Sequence, residues 1–166
     1  MMRIPKAVAA AAMLTSSSIS AQAAATCEQF KAGVVEGAAE HQMPAPKFRL
    51  VGNNSADPDI TYWTITTFDN VRAAIICSHG SVEAFMADAN DSELTSSIHL
   101  LLLMAIGLHG YGMEWREALD LRDQLVRTAK ASDPHISELP VDGGKASLII
   151  SFAGVPSFEI KTENPR

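Results

Sequence analysis

Hydrophobic positions along the chain change period several times, and each change marks an element. Thr26-Cys27-Glu28-Gln29 has the form of a capping box, with Thr26 as N-cap and Gln29 at the third helical position. Phe30, Val34, Ala38 and His41 then recur at helical spacing. A first helix is expected from Cys27 to about Gln42, closed by Pro44 and Pro46. Lys47 to Val51 alternates and reads as a strand. Gly52 to Ser55 and Asp57-Pro58 are turn residues. Ile60 to Phe68 is rich in β-branched and aromatic side chains, which suit a pleated surface. Asp69-Asn70 turns the chain into a third strand, Val71 to Cys77, and the run from 60 to 77 reads as a hairpin. Both faces of that third strand carry apolar residues, which places it inside a sheet.

The middle of the chain reads as helical. Ser81 to Ala87 opens on a good N-cap serine and predicts a short helix. Asp88 to Ser92 is a polar break, and a second segment runs from Glu93 to about Leu108. Its stretch from Ile98 to Ile106 is apolar nearly all round, the mark of a helix buried on most sides. A third helix is expected from Met113 to Ala131, with Trp115, Leu119, Leu125, Val126 and Ala129 as its apolar stripe. Ala146 to Phe152 and Ser157 to Lys161 close the chain as two strands. Helix, three strands, helices and two strands predict an α+β domain: an antiparallel sheet of about five strands with helices on one face. The same coarse order occurs in secretion-chaperone-like folds, an analogy of topology with no shared motif and no functional weight.

The first 25 residues stand apart. Arg3 and Lys6 give a basic start, and Ala7 to Leu14 is an unbroken apolar run. Thr15 to Ser20 is largely small and polar, and Ala21-Gln22-Ala23-Ala24-Ala25 follows. That order is what a signal peptidase reads, and cutting after either Ala23 or Ala25 leaves alanine at both positions that must be small. The apolar run is far short of the ~20 residues that cross a bilayer. A lipid-anchored start at Cys27 does not fit, because Thr26 stands where Gly, Ala or Ser is needed. Residues 1–25 are expected to be a cleaved signal peptide, and 26–166 a single exported domain, periplasmic or secreted, with no transmembrane segment in the mature chain. The chain has the general look of a small exported bacterial protein, and no motif ties it to a family.

Charge and cysteines follow from that reading. Loss of Arg3 and Lys6 leaves 11 basic and 19 acidic residues, a mature charge of −8. An acidic surface argues against nucleic acid and anionic lipid, and it permits a basic protein partner. Cys27 and Cys77 both lie in the mature part, and in an oxidising compartment they read as one disulfide. The competing reading is a reactive Cys77 with His79 two residues on.

Candidate chemistry is sparse. None of His41, His79, His99, His109 and His135 has a close partner at zinc spacing, so no metal site and no cofactor are expected. His99 reads as a hydrogen-bonded core histidine. Asp88 to Glu93 resembles a calcium loop but lacks glycine at its sixth place and glutamate at its twelfth. Gly143-Gly144-Lys145 precedes a strand, so it is a hairpin turn and no phosphate loop. Ser78-His79-Gly80-Ser81 puts two serines beside a histidine in a loop, where enzymes favour such residues, with no orienting acid identifiable. Gly110 to Trp115 is the most unusual string. Its two glycines allow close backbone approach, Tyr111 and Trp115 could stack on a ligand, and Glu114 with Arg116 could hold a polar end. Tyr111, Glu114, Trp115 and Arg116 are therefore the candidate ligand-binding residues, and no catalytic residue is assigned. The leading expectation is a non-catalytic binding protein. The alternatives are a small hydrolase using the Ser78–Ser81 loop and a small-ligand carrier using the Gly110–Trp115 turn.

Overall fold

The computed structural model describes residues 25–163. The expected signal peptide lies outside the described residues except for Ala25. The elements run α1 (Cys27–Glu40), β1 (Lys47–Asn53), β2 (Ile60–Thr66), β3 (Val71–Ser78), β4 (Ser81–Ala89), α2 (Leu94–Gly110), α3 (Trp115–Ala131), β5 (Ile136–Val141), β6 (Gly144–Ile150) and β7 (Pro156–Thr162). The strands form one antiparallel sheet in the order β1-β2-β3-β4-β7-β6-β5. The α+β class and the antiparallel sheet agree with expectation, while the strand number is seven instead of about five.

Two corrections account for the difference. Ser81–Ala89 is the central strand of the sheet and not a helix. His79 and Gly80 both take positive φ, 49° and 81°, so they form a two-residue hairpin turn of the primed kind that continues β3 directly into β4. The helix-favouring string Glu83-Ala84-Phe85-Met86-Ala87 is overridden because it lies between β3 and β7, paired on both sides. Ile136–Val141 is a strand that alternation alone did not reveal. Pro140 cannot donate to a ladder, which suits its place on the sheet edge.

Helices cover one face. Trp63, Ile75, Phe85, Ile160, Ala146 and Leu139 follow one another across the strands in register, and the middle four are 0% exposed. The next row, Tyr62, Ile76, Ala84, Lys161, Lys145 and Pro140, points the other way; Tyr62 is 37% exposed and both lysines are exposed. On the covered face α2 packs against β3, β4 and β7, α3 against β5 and β6, and α1 against α2 and β4. Phe85 links the layers. Its ring meets Phe30 of α1 at 5.5 Å and Phe158 of β7 at 6.1 Å between centroids. It also lies against Gly107 of α2, where an added Cβ would be 2.2 Å from the ring. A Cβ on Gly33 would likewise stand 3.0 Å from the Gly110 Cα, so two glycines set the close crossing of α1 and α2.

The start of α1 is tied down three ways. The capping box is present, with Thr26 Oγ1 accepting from the Gln29 N–H at 3.2 Å and Gln29 Oε1 accepting from the Thr26 N–H at 3.0 Å. Cys27 is bonded to Cys77 at the end of β3. Lys31 lies 3.4 Å over the Trp63 ring of β2 and pairs with Glu28.

Candidate functional site

The connection between α2 and α3 is short, and three of its N–H groups bond back to α2. Tyr111 N–H donates to the Gly107 carbonyl at 3.2 Å, Gly112 N–H to His109 at 2.8 Å, and Met113 N–H to Leu108 at 3.4 Å. Gly112 has φ of 92°, a conformation that costs glycine little and other residues much. The His109 ring donates from Nδ1 to the Met113 carbonyl at 2.8 Å, which ties the far side of the turn back to α2. Glu114 is the N-cap of α3, yet its carboxylate makes no cap hydrogen bond and stays exposed.

This turn is a ridge between two clefts. The first, of about 470 Å³, is floored by Leu108, Met113, Leu121 and Val141, and Pro140 also lines it. Glu114, Glu117 and Asp142 stand exposed around it. The second, of about 770 Å³, runs along α1 past Ala25, Thr26, Gln29, Ala32, Gly33 and Glu36. Tyr111, Gly112, Met113 and Glu114 line both. Among the described residues no lysine or arginine lines either cleft, and Glu114, Glu117 and Asp142 form no ion pair. Three carboxylates around an apolar floor make the first cleft complementary to a cation carried on an apolar stem.

Tyr111 joins the ridge to the core. Its ring meets Phe30 edge-on at 5.4 Å. Its hydroxyl is buried without a hydrogen-bond partner among the described residues, and burial pushes the phenol well above the ordinary tyrosine range.

Of the residues expected to form the site, Tyr111 and Glu114 line the clefts. Trp115 and Arg116 do not. The Trp115 indole is half-buried, stacked on the His41 ring at 3.7 Å and met edge-on by His109 at 6.0 Å. It braces the turn from behind. Arg116 is exposed. The remaining lining of the first cleft comes from Leu108 of α2, from the first two turns of α3 and from the β5–β6 hairpin, which packs against α3. Asp142 directly precedes Gly143-Gly144, and its place on the first cleft depends on β5, whose Pro140 hid the strand.

The other candidates resolve locally. His79 is exposed, with Nε2 3.5 Å from Asp57 and Nδ1 3.5 Å from Asp59. Both ring nitrogens face carboxylates, so neither is placed to take a proton from Ser78, which is buried, or from Ser81. His99 stacks on Phe68 at 4.0 Å and bonds through Nδ1 to Asn70 Oδ1 at 2.6 Å. Asn70 in turn donates to the buried Ser96 hydroxyl at 2.9 Å. In the calcium-loop look-alike, Asp88 accepts from the Ser157 hydroxyl and Asp91 from the Glu93 N–H. Among the described residues there is no group of three metal-ligating side chains, and no helix is long and apolar enough to cross a membrane. No family model, curated protein or solved structure matches this chain.

Proposed function

We propose that this chain is an exported, non-catalytic binding protein that holds a basic segment of a partner protein in the acidic cleft beside the 111–114 ridge. The observation that carries the reading is the pairing of an apolar floor with Glu114, Glu117 and Asp142 in a cleft lined by no cationic side chain among the described residues. A lysine side chain has the matching shape, an apolar stem with a charge at its end. The disulfide agrees with an oxidising, extracytoplasmic setting, and the mature charge of −8 favours encounter with a basic surface. The cleft's volume also falls in the range of small-molecule sites, which favours, as a second reading, a carrier of a small organic cation.

The test is a titration of the disulfide-bonded protein with a labelled peptide of alternating lysine and leucine, against its glutamate counterpart. The lysine peptide should bind, weaken with added salt, and lose roughly tenfold in affinity to a Glu114→Gln/Glu117→Gln/Asp142→Asn variant, at ~0.2–1 kcal/mol for each exposed charge. Equal binding of both peptides, or an unchanged affinity in the variant, would remove the reading. Displacement of the peptide by 1,6-diaminohexane at comparable concentration would favour the second.

A further inference from the structure

Two scissile bonds at the leader's end satisfy the small-residue rule, one after Ala23 and one after Ala25. A cut after Ala21 would place Ile19 at the outer small position, and a cut after Ala24 would place Gln22 there. The pattern alone cannot choose between the remaining two. We infer that processing occurs after Ala23, so that the mature chain begins at Ala24. This rests on the export reading above and is independent of what the clefts bind.

The reason lies in the pairing of residues 25–27 with the start of β4. Val82 N–H donates to the Ala25 carbonyl at 3.0 Å, Thr26 and Ser81 form an antiparallel bridge, and Cys27 N–H donates to the Gly80 carbonyl at 2.9 Å. The domain therefore uses Ala25 as structure. Hydrolysis of the Ala25–Thr26 bond would add water across it. Ala25 would depart with the leader as a carboxylate, and the Thr26 nitrogen would become an ammonium. The Val82 N–H, in a residue that is 0% exposed, would then lose its acceptor. The new ammonium would sit at the N-cap of α1, where the helix dipole already presents its positive end. Cutting after Ala23 avoids both penalties. The Ala25 carbonyl stays in place, the Thr26 nitrogen remains an amide donating to Gln29, and the new charge falls two residues before the cap. Once the domain folds, the Ala25–Thr26 bond is also held between two residues engaged with β4, out of reach of a protease that needs an extended substrate.

The test is the intact mass and amino-terminal sequence of the full-length gene product recovered from an exporting host. A chain beginning at Ala24 is expected. A chain beginning at Thr26 would overturn the inference while leaving the export reading intact. A chain that keeps Met1 would overturn both. A second measurement addresses the physical cause. Forms starting at Ala24 and at Thr26, each with the disulfide closed, should differ in urea unfolding, the Thr26 form having a roughly tenfold larger unfolding constant. Equal stability would remove the reason for preferring the first cut.

Discussion

Replacing both cysteines, Cys27→Ala with Cys77→Ala, removes a covalent tie between residues 50 apart, whose Cα atoms lie 6.1 Å from each other. In the chain-entropy description, a loop of that length stabilises the folded state by about 4 kcal/mol, through the freedom it denies the unfolded chain. A domain of this size has ~5–15 kcal/mol in total, so the tie supplies a large share. It is also local in its effect. Cys27 is the first residue of α1, and α1 forms one wall of the second cleft. Urea unfolding followed by the fluorescence of Trp63 and Trp115 reads the change directly. With a slope of ~2 kcal/mol per molar, the midpoint should fall by about 2 M in the double variant. The unmodified protein under reducing agent should fall with it, while reducing agent should leave the double variant unchanged. A midpoint loss under ~0.5 M, worth less than about 1 kcal/mol at that slope, would refute the claim that the bridge is a main stabiliser of this fold.

Gly107→Ala puts a methyl group inside contact distance of the Phe85 ring, which is itself fully buried between Phe30 and Phe158. Chemical denaturation should show a loss of ~1–3 kcal/mol or more, whereas Gly52→Ala, with nothing within 4 Å of its added carbon, should be near neutral. Asn70→Ala strips partners from both His99 Nδ1 and the buried Ser96 hydroxyl, and thermal melts should register a loss of ~1–3 kcal/mol. In a Tyr62→Phe background the remaining phenol is Tyr111. Its absorbance near 295 nm should stay that of the neutral form at about pH 11, where an exposed tyrosine has ionised. The sign of the linked stability follows. Tyr111 binds its proton more tightly folded than unfolded, so its contribution is complete below the unfolded value of 10.0 and is lost as pH rises above it. Alkaline stability that rises through that range would contradict its burial.

Local signals recovered the elements whose causes are local. The capping box at Thr26, the break at Pro44 and Pro46, the apolar run at Ile98–Ile106 and the hairpin turn at Gly143-Gly144 all act within a few residues, and each stands where expected. What failed was the choice between two periods in a short segment. Ser81–Ala89 has a helix-like start and helix-favouring residues, and only its position between β3 and β7 makes it a strand. The cue was available in His79-Gly80, but histidine is an unusual first residue for a primed turn. Pro140 concealed β5 for a related reason, since proline marks an edge strand and a loop alike. The clefts were legible in half. The glycines around Tyr111 mark the turn that separates them, and Tyr111 and Glu114 line both. Trp115 and Arg116 have suitable chemistry, but helical geometry carries them away from the clefts. Glu117 lies in the first turn of α3, three residues from Glu114, and is placed locally; Asp142 completes the charge only after the chain is folded, because the β5–β6 hairpin reaches the cleft across the α3 interface.

A basic guest should settle on the floor of the acidic cleft. Methyl-labelled protein titrated with the lysine–leucine peptide should show shifts confined to Leu108, Met113, Leu121 and Val141, the floor of the acidic cleft. Shifts gathered instead on Ile76 and Met86 of the uncovered sheet face would contradict it, as would a spectrum that does not move.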